Sequence, residues 1–401
     1  MSSSISKLKM LYVASVPLHL YTFWIPYAQH FRSKNWVVDG ASADITQWRD
    51  LEGAFNQVFD INFVRNPLQN PLAALAGIFA TLKHIRSLVA EQGYDIVHVS
   101  TPTAAFMVRL ALRGERSRTK VIYTAHGFHF FKGNSPTRNL LFRGLERMAA
   151  GWTDALITIN REDFEAANSF GTIAPGKVRL IPGIGVDPAK YRKVPETIRQ
   201  ELGLEPHHAL LLVIGEMIPR KRHKDAIDAF AKLTDATTHM AFAGDGKLRQ
   251  HLEAYVHSQG LSQRMHFLGF RKDIPALLSA SDVLLLPSRH EGLPRCILEA
   301  MCVGTPVIAS DIRGCRDLLA NGCGVLCPVG DIEGLSKAIQ EVLGNNRMRS
   351  QLSRRAAERV KECSQDILIG RHEEIYDAVL ANEAPAMEFV FPTTPAVESE
   401  S

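Results

Sequence analysis

The chain has 401 residues, 46% of them hydrophobic and 22% charged, with a formal net charge of +4. That composition excludes a disordered chain and a membrane-spanning one, and the length exceeds what a single core fills, so roughly two domains are expected. The charge is uneven: residues 1–190 hold 21 Lys+Arg against 14 Asp+Glu, while the remainder leans acidic, which fits either an anionic contact for the first half or plain surface scatter.

In chain order, residues 1–8 are polar and show no signal peptide, so a cytoplasmic protein is expected. A first strand is predicted over residues 9–14, followed by an aromatic stretch at 17–27 and a second strand at 37–41. The longest apolar segment, residues 71–82, is shorter than the roughly 20 residues a bilayer requires. It runs into Lys83, His84 and Arg86, so it reads as an amphipathic helix that either covers a core or rests on a membrane surface. Further strands are predicted at 96–99, 121–124, 155–159 and 178–181. Turn signals at Pro182-Gly183, Gly185 and Asp187-Pro188 place a linker within 182–206. Beyond it, apolar runs at 209–214, 239–243, 265–268, 283–287, 306–309 and 324–327 predict six more strands. Strands alternate with helical patterns throughout, so the fold class is α/β, with two doubly wound domains built from βαβ units. Ligands then belong beyond the carboxyl ends of the strands. Residues 351–380 carry one long helical pattern, and residues 384–401 read as a disordered tail.

Four post-strand loops carry candidate chemistry. The run Leu-Pro-Ser-Arg-His-Glu291-Gly-Leu-Pro-Arg-Cys-Ile-Leu-Glu299 is a strand end, a polar loop and a helix starting near Pro294. Backbone amides around Gly292 and Leu293 would meet an anion at that helix end. Glu291 and Glu299 are either acceptors for paired sugar and ribose hydroxyls, or a capping acid and a solvent-facing helix residue. After the strand ending near Gly215, the residues Arg220, Lys221, Arg222 and Lys224 crowd one turn. Such a cluster suits a diphosphate, a solvated loop or a nucleic-acid contact. Tyr123-Thr-Ala-His126-Gly-Phe-His129-Phe-Phe-Lys132 supplies histidines able to exchange a proton or hydrogen bond near neutral pH. The aromatic stretch after the first strand contains His19. The six cysteines lie in the second half without a paired Cys-x-x-Cys spacing, which argues against a zinc site.

Together these features resemble the retaining glycosyltransferases of family 4, in particular the branch that extends lipid-linked sugars in bacterial capsule and exopolysaccharide synthesis. The resemblance covers nearly all of residues 8–380. Its most specific parts are the Glu291 to Glu299 run, Gly304-Thr-Pro-Val-Ile-Ala-Ser-Asp311, Phe242-Ala-Gly244-Asp-Gly246 and Leu268-Gly269-Phe-Arg-Lys-Asp273. It implies a GT-B fold: two Rossmann-like domains facing a central cleft. Residues 1–190 would bind the acceptor, 191–365 the nucleotide sugar, and a helix over 366–383 would return to the first domain.

By the same resemblance Glu291 contacts the donor sugar, Glu299 the ribose, and the backbone at Gly292, Leu293 and Pro294 the diphosphate. Lys221 matches a diphosphate lysine, and Gly215, Gly269 and Phe270 belong to the donor site. His126 approaches the donor sugar or its leaving oxygen, completing a catalytic set with Glu291 and Lys221. His19, His129 and Lys132 fall to the acceptor. The sequence departs from the family at Glu216, where many members carry arginine directly after the strand glycine; Arg220 or Arg222 would supply that charge. The glycine-rich loop common after the first strand is replaced by residues 17–27. The expected donor is a UDP-sugar carrying a hexose or N-acetylhexosamine, and the expected acceptor a polyprenyl-diphosphate-linked saccharide at the inner face of the cytoplasmic membrane. No metal and no nucleic acid are expected. A UDP-sugar 2-epimerase of the same fold and a non-catalytic nucleotide-sugar-binding subunit are the alternatives.

Overall fold

The computed structural model describes residues 7–63, 71–115, 117–174, 176–195 and 197–383. The segment expected to be a disordered tail, 384–401, lies outside the described residues. The chain divides into two compact units, one running to Ile184 and resuming at Leu368, the other running from Gly185 to Ile367.

The first unit is built on strands β1 (Lys9–Val13), β2 (Val37–Ser42), β3 (Val58–Asp60), β4 (Ile96–Ser100), β5 (Lys120–Ala125), β6 (Ala155–Thr158) and β7 (Val178–Leu180). They form a parallel sheet in the order β3-β2-β1-β4-β5-β6-β7. The second unit carries β8 (Ala209–Ile214), β9 (Thr238–Ala243), β10 (Met265–Gly269), β11 (Val283–Leu286), β12 (Val307–Ser310) and β13 (Val325–Cys327) in the order β10-β9-β8-β11-β12-β13, again parallel. In each sheet the strand order reverses beside the first strand, between β1 and β4 and between β8 and β11. Loops leaving those strands diverge to opposite sides, which opens a crevice at the carboxyl ends.

Helices cover both faces of the first sheet, so its central strands are buried on both sides and read as unbroken apolar runs. Leu11, Val13, Val97 and Val99 pack under the helices Pro71–Gln92 and Pro102–Ala111. On the opposite face Met10, Tyr12, Ile96 and Ile122 pack with Trp24, Tyr27 and Phe31, and with Leu368, Ile369, Ile375 and Tyr376 of the helix Gln365–Ala381.

Two elements differ from expectation. The strand β3 was not anticipated, because three half-buried residues at a sheet edge leave no apolar run to read. The helical pattern over 351–380 is two helices, Asn346–Lys361 and Gln365–Ala381. Between them the Cys363 carbonyl accepts from Val186 N (3.0 Å), and Gln365 N donates to the Val186 carbonyl (2.9 Å). Backbone groups that a continuous helix would have paired internally are spent on a remote segment, and the helix stops.

Candidate functional site

The loops after β8 and β11 leave neighbouring strands at the switch point, so residues far apart in sequence meet there. Gly215 directly follows β8 with φ +151, and a Cβ placed on it would stand 3.1 Å from Lys221 Cε. Only glycine leaves that space for the lysine stem at this φ. A short turn, Pro219–Lys221, then aims the cations. Lys221 Nζ lies 2.8 Å and an Arg220 guanidinium nitrogen 2.9 Å from Glu291 Oε1. Arg220 also donates to the His290 carbonyl at 2.8 Å. Arg222 turns away, pairing with Asp225 at 2.6 Å. Of the two arginines left open by the sequence, Arg220 is therefore the one beside Glu291.

Burial works to raise the Glu291 carboxyl, but the charges of Lys221 and Arg220, helped by the Ser288 hydroxyl, outweigh it and hold the group below the ordinary carboxylate range. Its loop is pinned from behind. Buried Arg313 donates Nε–H to the Glu291 carbonyl (3.2 Å) and bonds the His290 ring. A Cβ on Gly314 would lie 2.0 Å from the Gly292 carbonyl oxygen, so the close approach of these two backbones requires glycine.

The helix Arg295–Val303 begins one residue later than the sequence pattern suggested, with Pro294 at the N-cap rather than in the first turn. It has no side-chain cap and no acidic residue in its first turn. Glu291 is thus no helix cap, and the helix end keeps its positive dipole for an outside anion. Glu299 is buried at 7% exposure rather than solvent-facing. Burial pushes its carboxyl above the ordinary carboxylate range, against the pull of Arg295, 3.0 Å away, and a bond from Tyr191. Tyr191 was not foreseen, since nothing in its neighbourhood points to a carboxylate more than a hundred residues downstream. Gly269 and Phe270 stand at the end of β10, at the sheet edge, with Phe270 76% exposed. A cavity of about 970 Å³ opens at the other end of this sheet, where Ala209 and Thr238 begin β8 and β9, and is no part of the Glu291 cluster.

In the first unit His19 lies on the helix Pro17–Phe23 after β1, and His126 follows β5. Their rings meet edge to face at 4.6 Å, with Phe23 stacked on His126 at 5.4 Å. The Nε2 atoms of both are buried without a hydrogen-bond partner. Burial lowers His19 to about 4, and burial together with His19 and His372 lowers His126 well below the usual imidazole value. Both rings are neutral at pH 7 and offer a hydrogen bond rather than a charge. Behind them His98, on β4, bonds Thr124 (2.7 Å) and Tyr376. His129 and Lys132 lie instead on an exposed loop ahead of the helix Pro136–Ala150, and Lys132 borders a cavity of about 520 Å³. All six cysteines are free, and among the described residues no group of three His, Cys, Asp or Glu could hold a metal.

Residues 45–190 match the family model described as Glycosyltransferase Family 4, and residues 194–359 the model described as Glycosyl transferases group 1. EpsD of Bacillus subtilis (strain 168) is 31% identical, over 93% of this chain and 97% of its own length. The Escherichia coli UDP-Gal:alpha-D-GlcNAc-diphosphoundecaprenol alpha-1,3-galactosyltransferase is 30% identical over 72% of this chain and 81% of its own. The chain belongs to glycosyltransferase family 4. The fold is GT-B: the structure of Anabaena Alr3699/HepE in complex with UDP superposes with a TM-score of 0.75 over 93% of this chain and all of that one, at 21% identity. As a glycosyltransferase of this family the chain is an enzyme, and these relatives give the epimerase alternative no support.

Proposed function

We propose that this family 4 glycosyltransferase moves a hexose or N-acetylhexosamine from a UDP-sugar to a polyprenyl-diphosphate-linked saccharide in bacterial surface polysaccharide synthesis, with retention of anomeric configuration. The second unit would hold the donor and the first the acceptor. The observation that carries the reading is the meeting of Lys221 and Arg220 on Glu291 at the strand switch point, one loop before an uncapped helix end. The Escherichia coli relative, named for UDP-galactose and a diphosphoundecaprenol acceptor, and the UDP complex of HepE support the donor and acceptor classes.

The charges fit the chemistry. Two cations on one carboxylate leave a net positive charge, and the helix dipole adds to it, so the pair of phosphates in a sugar nucleotide is attracted. As the bond to the sugar breaks, negative charge grows on the departing UDP, and fixed cations stabilise that state more than the starting one. Glu291 is already engaged by two cations, which makes it a poor nucleophile and a good acceptor for sugar hydroxyls. The acceptor proton then passes to a donor phosphate oxygen. Glu299 takes the ribose hydroxyls, while the backbone at Gly292, Leu293 and Pro294 follows the diphosphate, with Gly215, Gly269 and Phe270 completing the donor site. Neutral His126 donates a hydrogen bond to the donor sugar or leaving oxygen, and His19, His129 and Lys132 serve the acceptor. Because cations carry the leaving-group charge, transfer is expected to persist in chelator; loss of transfer there, with the fold intact, would refute the metal-free assignment.

Calorimetry with a panel of UDP- and GDP-sugars, followed by transfer to a short-chain lipid diphosphate saccharide, tests the reading. Binding of a UDP-sugar is expected, with turnover falling on the order of a hundredfold or more in Glu291→Ala, the size seen when one transition-state contact is removed. Affinity for no sugar nucleotide at all would overturn it.

A further inference from the structure

The loop that carries His126 leaves β5 at Ala125, turns at Gly127 (φ +111) and runs on through Phe128 and His129. The His126 ring has no hydrogen bond at Nε2, and its neighbours His19, Phe23 and Trp24 meet it as rings at 4.6, 5.4 and 6.3 Å. Such contacts are individually weak, so the aim of the imidazole depends on the backbone that carries it. That backbone is held from the helix Arg161–Asn168. Asp163, 1% exposed, accepts the Phe128 N–H through Oδ2 at 3.1 Å, from 35 residues farther along the chain. The same oxygen accepts from Asn160 Nδ2 at 2.8 Å, and Asn160 Oδ1 accepts the Asp163 N–H at 2.8 Å, capping the helix. Asn160 is buried as well, and the Phe128 ring stacks on Phe130 at 4.8 Å. A buried N–H that lost its acceptor here would carry the whole cost of desolvation. The far end of the loop has a separate hold: Asn139 accepts the Phe131 N–H at 3.2 Å and donates to the Phe131 carbonyl at 3.0 Å.

We infer that Asp163 is a positioning residue for the transfer reaction: it fixes the peptide between Gly127 and Phe128, and with it the aim of the His126 ring. The inference rests on the proposed role of His126 toward the donor sugar or its leaving oxygen. A hydrogen bond to that oxygen accelerates transfer only when its donor is aimed beforehand, and a misplacement on the order of 1 Å can lower the rate about a hundredfold. Asp163 suits the task because Asn160 grips it twice, by side chain and by main chain, so the carboxylate cannot follow a loop that moves. In the sequence the run Asn160-Arg-Glu-Asp163 reads as a helix start and nothing more. Asp163 also borders the cavity of about 520 Å³ that includes Lys132, so a direct contact with the acceptor is the competing role. The two roles differ in what they couple to: the first acts through His126, the second through acceptor binding.

A double-mutant cycle on the full chain tests this, read by transfer from UDP-hexoses and UDP-N-acetylhexosamines to a short-chain lipid diphosphate saccharide, with calorimetry of UDP alongside. H126A is expected to lower kcat on the order of a hundredfold and D163A about tenfold or more, each with UDP affinity unchanged. In the H126A background D163A should cost nothing further, because the group it aims is gone. D163N keeps an oxygen for the Phe128 N–H and should restore kcat. N160S keeps a helix cap but frees the carboxylate, so it is the milder variant should D163A fail to fold, and its loss should vanish in the H126A background in the same way. Spectra of histidine-labelled protein add a readout that needs no turnover: the His126 ring signal should shift in D163A and N160S and stay in place in D163N. Losses that multiply with H126A, a loss confined to acceptor KM, or an unmoved ring signal would each overturn the inference. Full transfer in H126A would sink the role of His126 and the inference with it, leaving the donor site standing. Absent UDP binding would sink the function, and the ring signal would still decide whether Asp163 aims His126.

Discussion

Glu291 owes its ionised state to two neighbours that act against its burial. Removing Lys221 should let burial dominate, so the carboxyl takes up its proton at higher pH. The sign follows: held below the ordinary carboxylate range, the group keeps its charge as pH falls into that range, and losing a cation moves protonation upward. The acid limb of the pH profile of kcat/KM is therefore expected to move to higher pH in Lys221→Ala, and a limb that stays in place would show that another group sets it. The two arginines separate in the same way. Arg220→Ala is expected to weaken UDP-sugar binding about tenfold or more, the cost of one charged contact, because this guanidinium stands 2.9 Å from Glu291. Arg222→Ala should leave donor affinity nearly unchanged, since that side chain is spent on Asp225. Equal losses in both variants, measured by calorimetry, would refute the assignment of the family charge to Arg220.

At the scale of elements, the Glu291 loop keeps its shape because two backbones touch. Alanine at Gly314 would drive a methyl into the Gly292 carbonyl, and backbone cannot yield as a flexible side chain can. Gly314→Ala should cost about 1–3 kcal/mol and lower donor affinity with it. Gly370 makes the contrast: it lies within the helix Gln365–Ala381 with nothing near its Cβ position, so Gly370→Ala should add about 1 kcal/mol of stability. Thermal melts of both variants check the pair, and a neutral Gly314→Ala would show that the loop is looser than its contacts imply. The sequence made the loops after β8 and β11 legible because their strands are buried on both faces and end in polar residues. Their partners were not legible. Arg313 and Tyr191 reach Glu291 and Glu299 through tertiary contacts that leave no local pattern, and the break near Cys363 is decided by Val186, far away in the chain. The apolar segment at 71–82 suggested a choice between core and membrane surface; its helix does the first with Leu82 and Ile85, and presents Leu75 and Phe79 outward.

For the whole molecule, buried imidazoles set a common weakness to acid. Among the described residues His19, His98, His126, His223, His239, His266 and His372 are all lowered, burial being the first cause in each. His372, fully buried in the first unit, and His223, 2% exposed in the second, both fall to about 4. Such a group ionises in the unfolded chain near pH 6.5 but stays neutral when folded, so the unfolded state binds more protons as pH falls through the window between those values. Stability is therefore lost on acidification, by about 2 kcal/mol per fully buried histidine between pH 7 and pH 5. Asp39, Glu299 and Asp377, raised by burial, push the other way, but three acids face seven histidines. Carboxylates held low, such as Glu291 and Asp273, keep their contribution until pH falls below the ordinary carboxylate range, and so lie outside this window. Denaturant unfolding from pH 7 to pH 5 should show stability falling in both units, with His372→Gln flattening the loss in the first by about one proton. Glutamine can still donate to the Leu368 carbonyl that His372 Nδ1 meets at 2.8 Å, so the variant removes the titration while keeping the bond. A stability unchanged across that range would mean that these rings reach solvent in the native state and carry no such cost.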